Sequence, residues 1–375
     1  MQSADVLVRG AGVVGQCLAL ELARCGLRIA LRDDAMAATA RVAKSGDVRA
    51  YALNAASGAL LRECKVWQAL APSAVTAVHE MQVHGDRPES SLEFTAWQQH
   101  VAALAWIVDA QALHAELDAA IRFATFVTRV PDDVDAALTA LCEGKDSLSR
   151  AALGVEVERF DFGQKAIAAR LNASRHHQNV AHQWFRSPDV LALLPLDAAR
   201  ASYALVWSCP TPRAEQLLAL EPREFELELA AELERAGGAA VGELTLCSER
   251  TAWPLTQATA RPWCGPGWVL LGDAAHVVHP LAGQGLNLGL ADVAALARVI
   301  AQREPWRGLG DVRLLRRYAR ERAAPTWAMG QLTGGLLQLF SHPDPTMREL
   351  RNRGMTLVDH LPPVKRWLNA RATHS

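Results

Sequence analysis

The chain carries no surplus of charge of either sign. Its 375 residues sum to a formal net charge of −1, so no global positive field exists to hold a polyanion, and nucleic acid is not an expected partner. The seven cysteines (Cys17, Cys25, Cys64, Cys142, Cys209, Cys247 and Cys264) include no C-x-x-C pair. That argues against structural zinc and a disulfide framework, and fits a reducing, cytoplasmic compartment. No apolar run reaches the ~18 residues of a membrane-spanning helix, so any membrane contact is expected to be peripheral, at the inner face. The small apolar stretch from Gly10 to Leu20 imitates a secretion signal, but Asp5 precedes it and no basic leader exists. No internal repeat or low-complexity tract is present. What remains is a globular composition, 50% hydrophobic and 21% charged, with length enough for two connected domains, one for a cofactor and one for a substrate.

Val6 to Val8 form a short apolar run, glycines follow, and Leu18 and Leu22 recur at helical spacing up to Cys25-Gly26. Leu27 to Leu31 is a second apolar run ending in Arg32-Asp33-Asp34. Strand, turn, helix and strand in about thirty residues make a βαβ opening. Within it, Gly10-Ala-Gly12-Val-Val14-Gly15 has the G-x-G-x-x-G spacing that turns the chain tightly, lets backbone approach a pyrophosphate and presents a helix N-terminus to its charge. Asp33 stands where a carboxylate would accept hydrogen bonds from an adenosine ribose, or else is a solvated strand end. Arg32 beside it leaves an NADP-like reading open for this motif taken alone.

Further along, helical patterns are expected over Leu53–Leu70 and Gln111–Ile121, the second with Leu113, Leu117 and Ile121 at i, i+4, i+8. Segments such as Lys165–Leu171 and Ser202–Ser208 alternate like strands of an antiparallel sheet. Helical pattern returns after Glu215. Trp268–Leu271 reads as a buried strand, followed by a small-residue helix over Gly285–Ile300 and a mostly helical stretch from Val312 onward.

The segment Trp268-Val-Leu-Leu-Gly272-Asp273-Ala-Ala-His276-Val-Val-His279-Pro280-Leu-Ala282-Gly283-Gln-Gly285-Leu286-Asn287-Leu-Gly-Leu-Ala-Asp292 closely resembles the flavin-contacting signature of the class A flavoprotein hydroxylases, the group of 4-hydroxybenzoate hydroxylase. In physical terms, Asp273 can hold a ribityl hydroxyl, and main-chain N–H groups around Gly283 and Gly285 sit at a helix start, which favours the negative charge of a reduced flavin. The plainer reading is a glycine-rich loop before a core helix, with His276 and His279 as structural histidines. Together the two motifs point to FAD, held by Gly10, Gly12, Val14, Gly15, Asp33, Gly272, Asp273, Pro280, Gly283, Gly285, Leu286 and Asn287.

Other segments are similar to one branch of that group, the ubiquinone-biosynthesis hydroxylases. Asp47-Val-Arg49-Ala-Tyr-Ala-Leu-Asn54 resembles the arginine segment beside the flavin, which implies a cofactor role for Arg49; otherwise Arg49 is a surface residue at a helix start. Gln111 stands where relatives place a polar residue near the flavin. Phe160–Ile167, Leu193–Leu196, Leu205–Ser208, Leu350–Met355 and Leu361–Lys365 resemble further family segments, so the likeness runs nearly the length of the chain. It implies an α/β fold: a Rossmann-like FAD-binding domain of the 4-hydroxybenzoate hydroxylase type, an interleaved antiparallel-sheet substrate domain and C-terminal helices. The expected division is FAD-binding 1–70, 106–158 and 256–310, substrate domain 71–105 and 159–255, and helices 311–375.

The resemblance also implies the reaction. NADH or NADPH reduces FAD, oxygen adds, and a flavin C4a-hydroperoxide hydroxylates an aromatic ring, expected to be a polyprenyl phenol of ubiquinone biosynthesis. The main chain of Pro280, Ala282 and Gly283 would form the floor of a dry pocket, with no side-chain base. Trp184, Phe185, Leu191, Leu193, Leu194 and Trp207 would wall an apolar channel, or simply be core. The run Arg313, Arg316, Arg317, Arg320 and Arg322 reads either as a solvated helix face or as a contact for anionic lipid. One departure concerns nicotinamide: the family's Asp-Gly segment is here Glu143-Gly144, and residues 121–141 look trimmed. Competing functions are hydroxylation of a small soluble aromatic, reduction of a prenyl chain, and a non-catalytic flavin-bearing subunit of a biosynthetic complex.

Overall fold

A computed structural model describes residues 4–32, 46–85, 91–197, 201–278 and 284–341. Among them, strands form three sheets. The first has the spatial order β16 (Cys264–Gly265), β17 (Trp268–Leu270), β9 (Ala136–Leu141), β1 (Ala4–Arg9), β2 (Ile29–Arg32) and β8 (Val127–Val130), parallel except for the β16–β17 pair. Its central strands are apolar on both faces because helices cover both sides of a parallel sheet. Those helices include α1 (Val13–Arg24), α3 (Ala110–Phe123), α7 (Gln284–Ala301) and α8 (Val312–Ser341). α3 forms where the periodicity places it: the Asp109 side chain caps it by accepting from the Ala112 N–H at 2.8 Å, and Leu113, Leu117 and Ile121 are buried along one stripe.

The expected helix over Leu53–Leu70 is shorter. Leu53 ends strand β3 (Ala50–Leu53), and α2 (Ala55–Glu63), capped by Asn54 accepting from the Ser57 N–H at 2.9 Å, stops before Lys65, whose φ of +60° turns the chain out of the helix. β3 pairs with β7 (Ala105–Asp109), which pairs with β4 (Val75–Val78), in a small antiparallel sheet.

The third sheet runs β18 (His276–Val277), β15 (Thr251–Arg261), β10 (Glu156–Ala173), β13 (Ser202–Pro210), β12 (Asp189–Leu196), β11 (Val180–Arg186), β5 (Glu80–His84) and β6 (Ser91–Thr95), with β14 (Leu244–Leu246) beside β10. The expected domain breaks at 158/159 and 255/256 fall inside β10 and β15, which pair along both halves of the molecule and lead from one into the other. In the trimmed segment 121–141 the chain still supplies the end of α3, the edge strand β8 and the interior strand β9. Asp133, in the loop between the two strands, ion-pairs with Arg32 at 2.7 Å and Arg9 at 3.4 Å, so the guanidinium that left an NADP-like reading open is met by a carboxylate of that loop.

The large sheet is covered on both faces. On one, Trp184, Leu191, Leu193 and Trp207 pack under α5 (Thr211–Ala219) and α6 (Pro222–Arg235), against Leu217, Phe225 and Leu229. On the other, Leu194, Leu196 and Ala204 pack with Val78 and Ile107 of the small sheet, while Phe185 and Val190 cluster with Val83 and Leu92. Arg170 lies on this second face, opposite Ala204, and reaches the FAD-binding part through the Asp47 carbonyl at 2.9 Å and Asp109 at 2.6 Å. Four of the six expected channel residues therefore belong to the far core; only Phe185 and Leu194 share the face that Arg170 occupies. Alternation could not decide this, because a strand buried on both sides is apolar at every position.

On the far face, His182 stacks with Trp184 at 5.3 Å, and burial, with His84 nearby, pushes its imidazole down to about 4. The ordinary value is about 6.5, so folding favours the neutral ring. Stability from this residue is complete above pH ~6.5 and fades as pH falls toward 4, by about 3 kcal/mol over the window. Chemical denaturation across pH 4–7 should show that loss, and His182→Phe should flatten it; an unchanged slope in the variant would assign the acid sensitivity elsewhere.

Candidate cofactor and active site

The turn between β1 and α1 is set by contacts that admit no side chain. Gly10 has a φ of +104°, and a Cβ there would lie 2.4 Å from the Cys142 carbonyl oxygen, because the end of β9 crosses directly behind it. A Cβ on Gly15 would lie 1.9 Å from the Gly10 carbonyl oxygen. Gly12 differs: it is the N-cap of α1, no side chain caps that end, and nothing stands within 4 Å of where its Cβ would be. The first-turn N–H groups therefore open onto free space beside a glycine, the cradle that a phosphate needs.

Val14 acts differently from its neighbours. Its methyl groups lie 3.3 Å from the Cβ position of Gly272 and 2.7 Å from that of Gly289, so its side chain is a wedge joining the first motif to the second. Gly272 has a φ of +58°, and its N–H donates to Asp292 at 3.0 Å. That bond aims the following residue, Asp273. The Asp273 side chain is accessible to solvent yet walled by protein on most sides, the situation of a group at the foot of a cleft. Burial raises its pKa, with His276, Lys145 and Arg49 pulling the other way.

Arg49 precedes β3 across the same cleft. It is held by Asp47 at 2.6 Å, which pulls the guanidinium upward, and it lies 5.9 Å from the Tyr51 ring centroid. Burial raises the Tyr51 phenol, against the influence of Arg49. Gln111 is exposed at the start of α3, with its Oε1 3.5 Å from the Cβ position of Gly46. Arg49, Tyr51, Lys145 and Asp273 thus act on one another electrostatically, while Gln111 stands beside Gly46, just before the Asp47–Arg49 segment. Neither Tyr51 nor Lys145 was singled out from the sequence: Tyr51 sits in an apolar strand, and Lys145 looks like any loop lysine. Glu143 is bound within its own loop, accepting from the Ser147 and Ser149 hydroxyls at 2.5 Å each and pairing with Arg9 at 3.2 Å. Arg150 ties that loop to the second motif by donating to the Ala274 carbonyl at 2.8 Å.

The Asn287 side chain is engaged by protein. Its Oδ1 accepts from the Asn54 N–H at 3.0 Å and the Ser57 hydroxyl at 2.7 Å, and its Nδ2 donates to Ala52 and Gln284 at 2.9 and 3.3 Å. The side chain is saturated by protein and serves as a clamp between α7 and the β3–α2 junction; any cofactor contact is left to its main chain. Leu286 packs against the core, and Gly285 faces open space at the start of α7. Asp33, His279, Pro280, Ala282 and Gly283 lie outside the described residues.

Behind the cleft is a buried charge network that sequence reading missed. Asp292, fully buried in α7, accepts from Gly272 N–H, lies 2.6 Å from His276 Nε2 and accepts from Arg322 Nε at 2.8 Å. Burial works to raise this carboxyl, but His276 and Arg322 outweigh it and hold it below its ordinary value. Arg322 also donates to the Leu288 carbonyl at 3.3 Å. The available signal was a lone acid inside an otherwise apolar helix, a position that demands a partner. It also corrects the reading of the arginine run: Arg322 points inward, and Arg317 pairs with Glu304.

A helix end open beside Gly12, a carboxylate in a walled cleft and a guanidinium opposite it match what a flavin dinucleotide requires of its diphosphate, ribityl and ring neighbours. Residues 95–333 match the FAD binding domain family. The chain belongs to that family, among the FAD-dependent hydroxylases of ubiquinone biosynthesis. It is 30% identical to ubiquinone hydroxylase UbiL of Rhodospirillum rubrum, over 97% of this chain and 88% of that one. It is 29% identical to 3-demethoxyubiquinol 3-hydroxylase of Escherichia coli, over 97% of each. Among solved structures, p-nitrophenol 4-monooxygenase PnpA of Pseudomonas putida superposes with a TM-score of 0.75 at 16% identity, covering 99% of this chain and 98% of that one. PqsL of P. aeruginosa, in complex with 2-aminobenzoylacetate, superposes with a TM-score of 0.77 at 21% identity, over 95% and 100%. These two likenesses establish the hydroxylase fold.

The glycines make separable predictions. Gly10→Ala should cost the protein about 3 kcal/mol through backbone strain and overlap with β9, read as a lowered melting temperature without FAD. Gly12→Ala should leave that temperature nearly unchanged while weakening FAD binding, measured by fluorescence quenching, by roughly tenfold, or about 1.4 kcal/mol. Equal effects of the two on stability would refute the distinction. Arg322→Met should destabilise by about 3–5 kcal/mol, since it leaves a buried carboxylate short of its partner; denaturant titration of the variant tests this, and a neutral result would mean that His276 alone suffices.

Proposed function

We propose that this protein uses FAD, with NADH or NADPH as reductant and molecular oxygen as co-substrate, to hydroxylate the ring of a polyprenyl phenol in ubiquinone biosynthesis. The observation that carries the reading is the near full-length similarity to two ubiquinone-pathway hydroxylases, one of them acting on a demethoxyubiquinol by its name. Bound FAD would take electrons from the nicotinamide and activate oxygen; the chain's own groups do the rest. The α1 N-terminus at Gly12 would hold the diphosphate, Asp273 a ribityl hydroxyl, and Arg49 the region beside the ring system.

A phenol ring is itself electron-rich, so what the protein must supply is position and dryness rather than a side-chain base. Pro280, Ala282 and Gly283 remain the proposed floor of the pocket. Its wall is proposed on the sheet face carrying Phe185, Val190 and Leu194, apolar enough to receive a lipid tail. The loop Glu143–Arg150, braced by Ser147, Ser149 and Arg9, is where the nicotinamide would act, with Glu143 in the place of the family's aspartate. The protein is proposed to work in the cytoplasm, peripheral to the inner face of the membrane, alone or within a biosynthetic complex.

Lipid extracts of cells lacking the protein should accumulate a polyprenyl phenol short of one ring hydroxyl, identified by mass spectrometry. The wild-type gene should clear it, and Asp273→Ala, folded but poor in FAD, should not. Normal quinone in the deleted cells would sink the ubiquinone assignment and direct the search to soluble aromatics; clearance by a flavin-free variant would indicate a role in assembly.

A further inference from the structure

α8 has two unlike faces. At 3.6 residues per turn, Arg313, Arg316, Arg320, Ala324, Trp327 and Gln331 fall within an arc of about 80°, and all six are exposed. Leu314, Leu315, Tyr318, Arg322 and Met329 occupy the opposite side and are buried. Between 298 and 331 the chain has eight arginines against three acids, in a protein whose formal net charge is −1. Each acid is already taken: Glu304 by Arg307 and Arg317, Asp311 by Arg307, and Glu321 by Arg298. Among the described residues, Arg313, Arg316 and Arg320 have no carboxylate partner. Trp327 is 62% exposed within this stripe, and Trp306, in the loop leading to α8, is 81% exposed.

We propose that this outer face of α8 docks on an anionic phospholipid surface. The proposal rests on the reading that the substrate carries a lipid tail. Guanidinium groups match phosphate headgroups, and an exposed indole is most favourably placed where its apolar body and polar N–H meet both phases. The stripe runs about 27 Å along the outer side of the helix, which suits a plane of headgroups. No helix among the described residues is long and apolar enough to cross a membrane, so α8 would lie on the surface. The buried side of the same helix meets the cofactor site. Arg322 holds Asp292, and Met329 packs with Val278 and Leu288, which flank residues 279–283. The helix that would lie on the bilayer thus also contacts Asp292, Val278 and Leu288 on its inner side, a short path for a lipid-tailed phenol.

The test is flotation of the FAD-loaded protein with vesicles of pure phosphatidylcholine or of phosphatidylcholine with phosphatidylglycerol, at low and high salt. Wild type should float only with the anionic vesicles and be released by salt. The triple variant Arg313→Gln, Arg316→Gln, Arg320→Gln should lose roughly a hundredfold in partitioning, the equivalent of three charges at about 1 kcal/mol each. Trp327→Ala should show a smaller loss with unchanged salt sensitivity. A charge-matched control, Arg122→Gln, Arg175→Gln, Arg223→Gln, should float like wild type. Wild type that ignores anionic vesicles, or a stripe variant that binds like the control, overturns the proposal. Turnover of a short-tailed, water-soluble phenol is followed in parallel. Vesicle binding without hydroxylation leaves the docking face standing and defeats the functional reading; hydroxylation without vesicle binding does the reverse.

Discussion

Asp292 is a carboxylate with no access to water, and an isolated charge in that position is prohibitively costly. It is tolerated because three groups from three parts of the chain converge on it: the Gly272 N–H from the second motif, His276 from β18 and Arg322 from α8. Each gains a fixed position in return. Gly272 is held in its turn so that Asp273 faces the cleft, and α8 is locked to α7. The turn takes its aim from this bond set together with the wedge of Val14, the Ala275 N–H donating to the Gly272 carbonyl at 2.8 Å and Arg150 donating to the Ala274 carbonyl at 2.8 Å.

The same logic of close approach operates at the first motif. Gly10 and Gly15 are glycine because backbone stands where a side chain would be, whereas Gly12 faces open space. Two glycines therefore serve the fold and the third leaves the helix end open, although the three look alike on paper. The Glu143 loop shows a related division. Its acid is consumed by Ser147, Ser149 and Arg9, which shapes the loop at the C-terminal end of the parallel sheet, the edge where nucleotides bind in such folds.

The large sheet has two unlike faces. Trp184, Leu191, Leu193 and Trp207 build a core with α5 and α6, while Phe185, Val190 and Leu194 turn toward the FAD-binding part. α8 repeats this two-sidedness at the level of a helix, with arginines outward and an ion pair inward. One element thus carries an exposed arginine stripe on its outer side and, on its inner side, the arginine that holds Asp292.

Much of this was legible in the residues. The βαβ opening, the stripe Leu113–Leu117–Ile121, the long helix after the second motif and the FAD requirement all follow from short-range pattern, because a strand-turn-helix bend and an amphipathic period are encoded within a few turns of chain. Tertiary structure alone decided which sheet face shares Arg170 and its bonds to Asp47 and Asp109, that the Asn287 side chain is a clamp, and that Arg322 faces Asp292 while Arg320 faces solvent. Those outcomes depend on partners 30 to 235 residues away. A both-sides-buried strand carries no mark of which side is which, and an arginine in a basic run carries no mark of the carboxylate that folding will bring to it.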